Sequence, residues 1–176
     1  MSIEPGTHTI GPSNGTLKVK TDKEGAAAKM GHNLVLGINS WEATVEGGDS
    51  PSISLTADPG SVEVIEGSGG AKALSDKDKG DIKKAITNKV LGSSQITFTS
   101  SSVEDNGGQM VAKGDLSIAG KSSQVSVPLS VSGNTISGSV TLSQKDFGIK
   151  QFSAMMGALK VSDQVEVVVE GQVPTS

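Results

Sequence analysis

The most constraining feature of the sequence is the stretch 114–131, GDLSIAGKSSQVSVPLSV, in which apolar and polar residues alternate. Leu116 and Ile118 come before the segment 119–123, and apolar residues follow it at Val125, Val127, Leu129 and Val131. Successive side chains of a strand point to opposite faces, so the alternation predicts two strands with one apolar face. Gly120 permits the positive φ of a tight reversal. Because an isolated hairpin is marginal in water, the pattern predicts a larger antiparallel sheet.

Length and charge limit the classes of protein to consider. A chain of 176 residues can bury a core, and we expect one domain over residues 1–176. The net charge of −4, with no lysine-rich run, argues against nucleic-acid binding and against electrostatic attachment to anionic lipid. The absence of cysteine excludes disulfides and thiolate metal sites. No run has membrane-spanning length and the N-terminus lacks a leader pattern, which predicts a cytoplasmic protein with no transmembrane segment.

The remaining apolar patterns predict an all-β fold. The first strand is expected in two pieces, 8–10 and 15–21, and a long strand at 33–46 shifts its phase at Asn39-Ser40, as a β-bulge would. Shorter strands are predicted at 52–57, 61–67, 95–103, 109–119, 124–131, 135–142 and 161–171. Closing such a sheet removes its exposed edges. We therefore expect an extended barrel of eight antiparallel strands.

Two helical segments interrupt the strands. The residues AAAKM within 24–30 favour a short helical turn that Gly31 ends. A longer helix is predicted at about 75–91, since Ser75 or Asp76 can cap it and Ile82 and Ile86 lie on one apolar stripe.

The segment 147–159 fits neither strand nor helix. It contains two of the four aromatic residues and two of the five methionines. Methionine is flexible and packs against irregular shapes, so the segment can be a flap over the mouth of the barrel. It can equally be a connector whose Phe and Met side chains plug the bottom of the barrel. The sequence leaves both open.

Catalytic and metal-binding patterns are missing. His8 and His32 have no partner at metal-ligand spacing, and the carboxylates at 76–81 lack the later ligands of a calcium loop. No nucleophile elbow, phosphate loop or dinucleotide fingerprint is present. We predict a protein that is not an enzyme and has no metal or cofactor. His32 either binds backbone carbonyls where a helix meets a strand or contacts the polar head of a ligand.

Several short motifs, in order along almost the whole chain, resemble the YceI-like, or polyisoprenoid-binding, family. They are Gly31-His32, then ITF at 96–98, GDLSIAG at 114–120, VSVPL at 125–129, KDFGI at 145–149 and VSDQVEV at 161–167. The stretch AAAKMGH at 26–32 and the lysine-rich helix are similar to forms associated with actinobacteria. The resemblance implies a lipocalin-like barrel around an apolar tunnel, isoprenoid lipids or isoprenoid quinones as ligands, and homodimers for some members.

These observations predict a carrier that holds a long apolar molecule without transforming it. The residues expected to line the tunnel are Leu17, Val19, Leu34, Leu36, Ile38, Trp41, Ile53, Leu55, Ile82, Ile86, Phe98, Leu116 and Ile118. Those expected in the flap are Phe147, Phe152, Met155, Met156 and Leu159. An eight-stranded barrel can also be filled by its own side chains. The alternative is therefore a solid barrel, a stress-related or interaction protein that acts through its surface or a dimer face.

Overall fold

The computed structural model describes residues 3–70, 73–105, 109–154, 157 and 159–173. Within them, eleven strands form one antiparallel sheet in the order β1-β5-β6-β8-β9-β10-β11-β14-β2-β4-β7. Their bounds are β1 Gly6–Ile10, β2 Gly15–Lys20, β4 His32–Ile38, β5 Trp41–Gly47, β6 Ser52–Ala57, β7 Val62–Gly69, β8 Ile96–Asp105, β9 Gln109–Ile118, β10 Lys121–Ser132, β11 Thr135–Ser143 and β14 Gln164–Gln172. A second sheet joins β12 (Ser153–Ala154), β13 (Leu159–Val161) and β3 (Lys23–Glu24).

The lipocalin-like, all-β prediction is confirmed, but eight was the wrong number of strands. Three segments of the chain each form a pair of strands, β1 and β2, β4 and β5, and β6 and β7. The sequence predicted two of these breaks, between 8–10 and 15–21 and between 52–57 and 61–67, whereas the third divides the predicted strand 33–46. The break between β4 and β5 falls at Asn39-Ser40, where the apolar phase shifts. β1 pairs with β5 while β2 pairs with β4, and β5 pairs with β6 while β4 pairs with β7. The same segments therefore form both ends of the strand order, and the sheet curls back on itself.

The central hairpin is tighter than predicted. Ala119 and Gly120 both have positive φ, 53° and 79°, as a two-residue hairpin turn of the primed type requires. β10 consequently begins at Lys121, whereas the sequence suggested a connection as far as Ser123.

The long helix is confirmed and the short one is partly wrong. Helix α1 (Asp76–Ala85) continues as a π-helical stretch, Ile86–Leu91, which ends at Gly92 with φ of 67°. In the segment 24–30, only Ala28–Met30 forms a 3₁₀ turn, because Lys23–Glu24 pairs with β13 instead. Pairing with a strand distant in sequence has overridden the local helix propensity.

One end of the curled sheet is filled by side chains, and we call it the packed end. Its buried residues that do not line the cavity described below are Ile3, Ile10, Trp41, Ala43, Val45, Met110, Ile136 and Val173. Backbone approaches closely here, since a Cβ added to Gly171 would lie 2.2 Å from Cγ2 of Ile10. The opposite end, the mouth end, carries helix α1 and the small sheet.

Candidate ligand-binding cavity

The curled sheet encloses a cavity of about 590 Å³ that opens at the mouth end. Its wall takes residues from nine strands of the main sheet, because a strand that alternates in burial points one set of side chains inward. The deep wall is apolar. It includes Leu17, Leu36, Ile38, Ile53, Leu55, Phe98, Ala112, Leu116, Val127, Leu129, Val140, Val167 and Val169.

Most residues predicted from the sequence to line a tunnel lie on this wall. They are Leu17, Val19, Leu34, Leu36, Ile38, Ile53, Leu55, Ile82, Ile86, Phe98, Leu116, Ile118, Phe147 and Phe152, with His32 at the rim. Trp41 lies elsewhere: it is buried inside the sheet, as alternation predicts, but beyond the bend at Asn39-Ser40 and in the packed end. Met155 and Met156 fall outside the described residues. Leu159 begins β13, and its side chain is also outside what is described.

The sequence reasoning missed the part of the wall that β10, β11 and β14 provide. Val125, Val127 and Leu129 on β10 and Val165, Val167 and Val169 on β14 all line the cavity. The signal for them was available, since they continue the same alternation that identified the hairpin.

The segment from 147 lies at the mouth end, so it does not plug the bottom of the barrel. Phe147 and Ile149 are buried with Leu142 in a small cluster against β10 and β11. Phe152 lines the cavity, and the chain then forms the small sheet at the mouth. The Gln151 side-chain amide fastens that sheet by donating hydrogen bonds to Glu24 Oε1 (2.5 Å) and the Val161 carbonyl (3.0 Å).

Among the described residues, polar side chains line the cavity only near its rim. Thr21, Lys23, His32, Asp81, Gln144 and Lys160 supply them. Lys23 Nζ donates a hydrogen bond to the Gly31 carbonyl at 2.6 Å. Glycines at and after the end of β7 give both side chains room, because a Cβ on Gly69 would lie 2.6 Å from Lys23 Nζ and one on Gly70 would lie 2.6 Å from His32 Nε2.

Helix α1 and its π-helical extension cover the mouth without being buried in a core. Ile82, Ile86 and Val90 line the cavity, yet no residue of either helical stretch is fully buried. The helix therefore packs its apolar face over open volume. Its N-terminus is fixed by a capping box, in which Ser75 Oγ accepts from the Asp78 N–H (3.1 Å) and Asp78 Oδ2 accepts from the Ser75 N–H (3.0 Å).

The capping box makes the start of this helix sensitive to acid. The Ser75 backbone N–H, and next its side chain, hold the pKa of Asp78 below its usual 3.8. A lowered pKa in the folded state means that the ionised carboxylate stabilises the helix above about pH 3.8, and that this is lost as the pH falls through the folded-state pKa. In an NMR titration of the Asp78 carboxyl we expect a midpoint below 3.8.

The variant Ser75→Ala is expected to move that midpoint upward, because it removes the hydroxyl from the box. Ser75→Thr keeps the hydroxyl and should leave the midpoint in place. A wild-type midpoint at or above 3.8, or an equal response of the two variants, would contradict this account.

In the part of the chain that the structure describes, no three His, Asp or Glu side chains gather as a metal site would require. The same part of the chain contains no helix with the length and apolarity needed to cross a membrane.

The chain is similar to members of one protein family, both in sequence and in fold. The model of the YceI-like domain family matches residues 9–173. A search of curated proteins found no match. Among solved structures, Burkholderia cenocepacia BcnA is similar with a TM-score of 0.65 at 18% identity, over 92% of this chain and 97% of that one. A Campylobacter jejuni YceI protein is similar with a TM-score of 0.55 at 15% identity, over 80% and 84% of the two chains. At these identities the likenesses concern the fold.

Proposed function

Because the chain belongs to the YceI-like domain family, we propose that it carries a long apolar molecule, an isoprenoid lipid or an isoprenoid quinone, without transforming it. The observation that supports this most is the cavity of about 590 Å³ with its apolar deep wall. That volume lies in the range of about 300–1,000 Å³ for small-molecule sites. Removing apolar surface from water contributes about 25 cal/mol per Å², so a chain in such a cavity binds with few polar contacts.

The distribution of polar groups orients the cargo. The deep wall offers it no charged group, whereas Lys23 and His32 stand at the rim. A charged or strongly polar head placed deep inside would lose its hydration without compensation. The apolar tail therefore enters first, and the head stays at the rim where an ammonium group can donate hydrogen bonds to it.

The solid-barrel alternative has less support. It requires side chains to fill the interior throughout, and only the packed end is filled in this way. The fold is one of binding proteins.

The test is native mass spectrometry of the protein purified from its own host, followed by solvent extraction and lipid analysis. A stoichiometric adduct with an isoprenoid mass is the expected result. The same spectrum reports whether the protein forms the homodimer that the family resemblance implies for some members. If the purified protein contains no ligand, its binding to an added polyprenol or isoprenoid quinone is measured. Failure to bind either compound would overturn the proposal.

A further inference from the structure

The charges of this acidic protein are divided between the connections at its mouth end and the rest of the chain. Four connections meet at the mouth end: 21–31, 70–95, 119–121 and 144–163. Three of these connections contribute residues to the cavity wall. The fourth, 119–121, touches one of them, because Lys121 packs against Gly148 of the connection 144–163. The four connections lie at the same end because the strands are antiparallel. The chain reverses direction at each connection, so alternate connections fall at one end of the sheet.

Most of the lysines lie in these connections. In their described residues there are eleven lysines and seven carboxylates, a formal charge of +4. The lysines are Lys23, Lys29, Lys77, Lys79, Lys83, Lys84, Lys89, Lys121, Lys145, Lys150 and Lys160. The rest of the described chain has three lysines, Lys18, Lys20 and Lys113, against twelve carboxylates, a formal charge of −9. The net charge of −4 conceals this separation.

The positive end coincides with the opening of the cavity. Lys77, Lys84 and Lys89 are exposed on the helix that covers the mouth, while Ile82 and Ile86 of that helix face the cavity. A surface that is positive around an apolar opening complements an anionic surface that holds apolar molecules beneath it. An anionic lipid bilayer has both properties, whereas an acidic protein or a nucleic acid offers only the charge.

We propose that the mouth end docks on anionic lipid membranes, so that the cavity opens toward the bilayer. The negative remainder of the protein is repelled by the same surface, and the two effects together fix the orientation. The sequence argued against such attachment because its lysines form no run; folding collects them from separate connections. That docking serves to load or unload cargo rests on the proposed carrier function, but the docking itself does not.

The chain supplies a matched control for the test. The triple variant K77Q/K84Q/K89Q removes three lysines at the mouth, and K18Q/K20Q/K113Q removes the three that lie outside the mouth connections, in strands β2 and β9. Both change the net charge equally, and glutamine keeps the helix propensity of lysine. Binding is measured by co-sedimentation with vesicles of equal parts phosphatidylglycerol and phosphatidylcholine, and with vesicles of phosphatidylcholine alone.

The wild type is expected to bind the anionic vesicles and not the neutral ones, and to dissociate as the salt concentration rises. The mouth variant should lose roughly fivefold in affinity for each lysine, about 100-fold in all, and the control should bind nearly as the wild type does. Equal losses in the two variants, no binding to anionic vesicles, or binding to soluble heparin or polyglutamate as tightly as to vesicles would overturn the proposal. Vesicle binding by a protein that takes up neither a polyprenol nor an isoprenoid quinone would instead refute the carrier function and leave the docking surface standing.

Discussion

Val167→Phe is expected to weaken cargo binding by roughly 60-fold while the protein stays folded. Val167 on β14 lines the middle of the cavity and packs against both core clusters, so a larger ring occupies space that the cargo needs. Excluding about 100 Å² of apolar cargo surface from the wall costs about 2.5 kcal/mol. Titration with the isoprenoid identified by mass spectrometry measures the effect, and circular dichroism checks the fold.

Val168→Phe is the matched control, because the neighbouring side chain points to the other face of the sheet and is not on the cavity wall. It should bind cargo as the wild type does. If both variants bound normally, the cargo would not occupy the middle of the cavity. If both lost binding, the effect would be a general disturbance of β14.

Gly114→Ala is expected to destabilise the fold by about 3 kcal/mol, the upper part of the range for overpacked sites. A Cβ at Gly114 would lie 2.2 Å from the Thr99 carbonyl oxygen and 2.7 Å from Ser100 Cα. Both are backbone atoms, next to the register shift between Ser100 and Ser102, and cannot rotate away. Denaturant unfolding followed by fluorescence measures the change, since the one tryptophan lies in the packed end.

The same substitution at Gly80 is expected to act in the opposite direction. Gly80 lies within helix α1, and a Cβ there would meet no atom within 4 Å. Alanine loses less backbone entropy in a helix and should stabilise the protein by about 0.5–1 kcal/mol. Finding that Gly114→Ala is as stable as the wild type would mean that β8 and β9 shift apart more easily than their close contact indicates.

The cavity wall was largely predictable and its boundaries were not. Alternation fixes which side chains of a strand face inward, and for that reason Leu36, Phe98 and Leu116 were correctly placed. How far along each strand the interior stays open depends on the bends that break three segments, and these arise from contacts across the whole sheet. Trp41 illustrates this limit. The alternation correctly predicted that its side chain points to the inner face of the sheet, but the sequence did not show that it lies in the packed end.

Two other features depend on contacts between distant residues. The pairing of Lys23–Glu24 with β13 joins segments more than 130 residues apart and has no local signal, so the predicted helical turn is shorter than expected and covers Ala28–Met30. The positive mouth end is only partly visible in any one window of the sequence, since six of its eleven lysines lie outside the connection 70–95. A net charge averages over such a separation.

The open interior has a consequence for the stability of the protein itself. Wall side chains such as Val140 and Val167 face empty volume and therefore lack the dispersion contacts that a filled core would give them. A bound cargo supplies those contacts only in the folded state, and by mass action a ligand present at 100 times its dissociation constant adds about 2.7 kcal/mol to the free energy of unfolding. The empty carrier is thus the more fragile form, and its lifetime in the cell is coupled to the supply of what it carries.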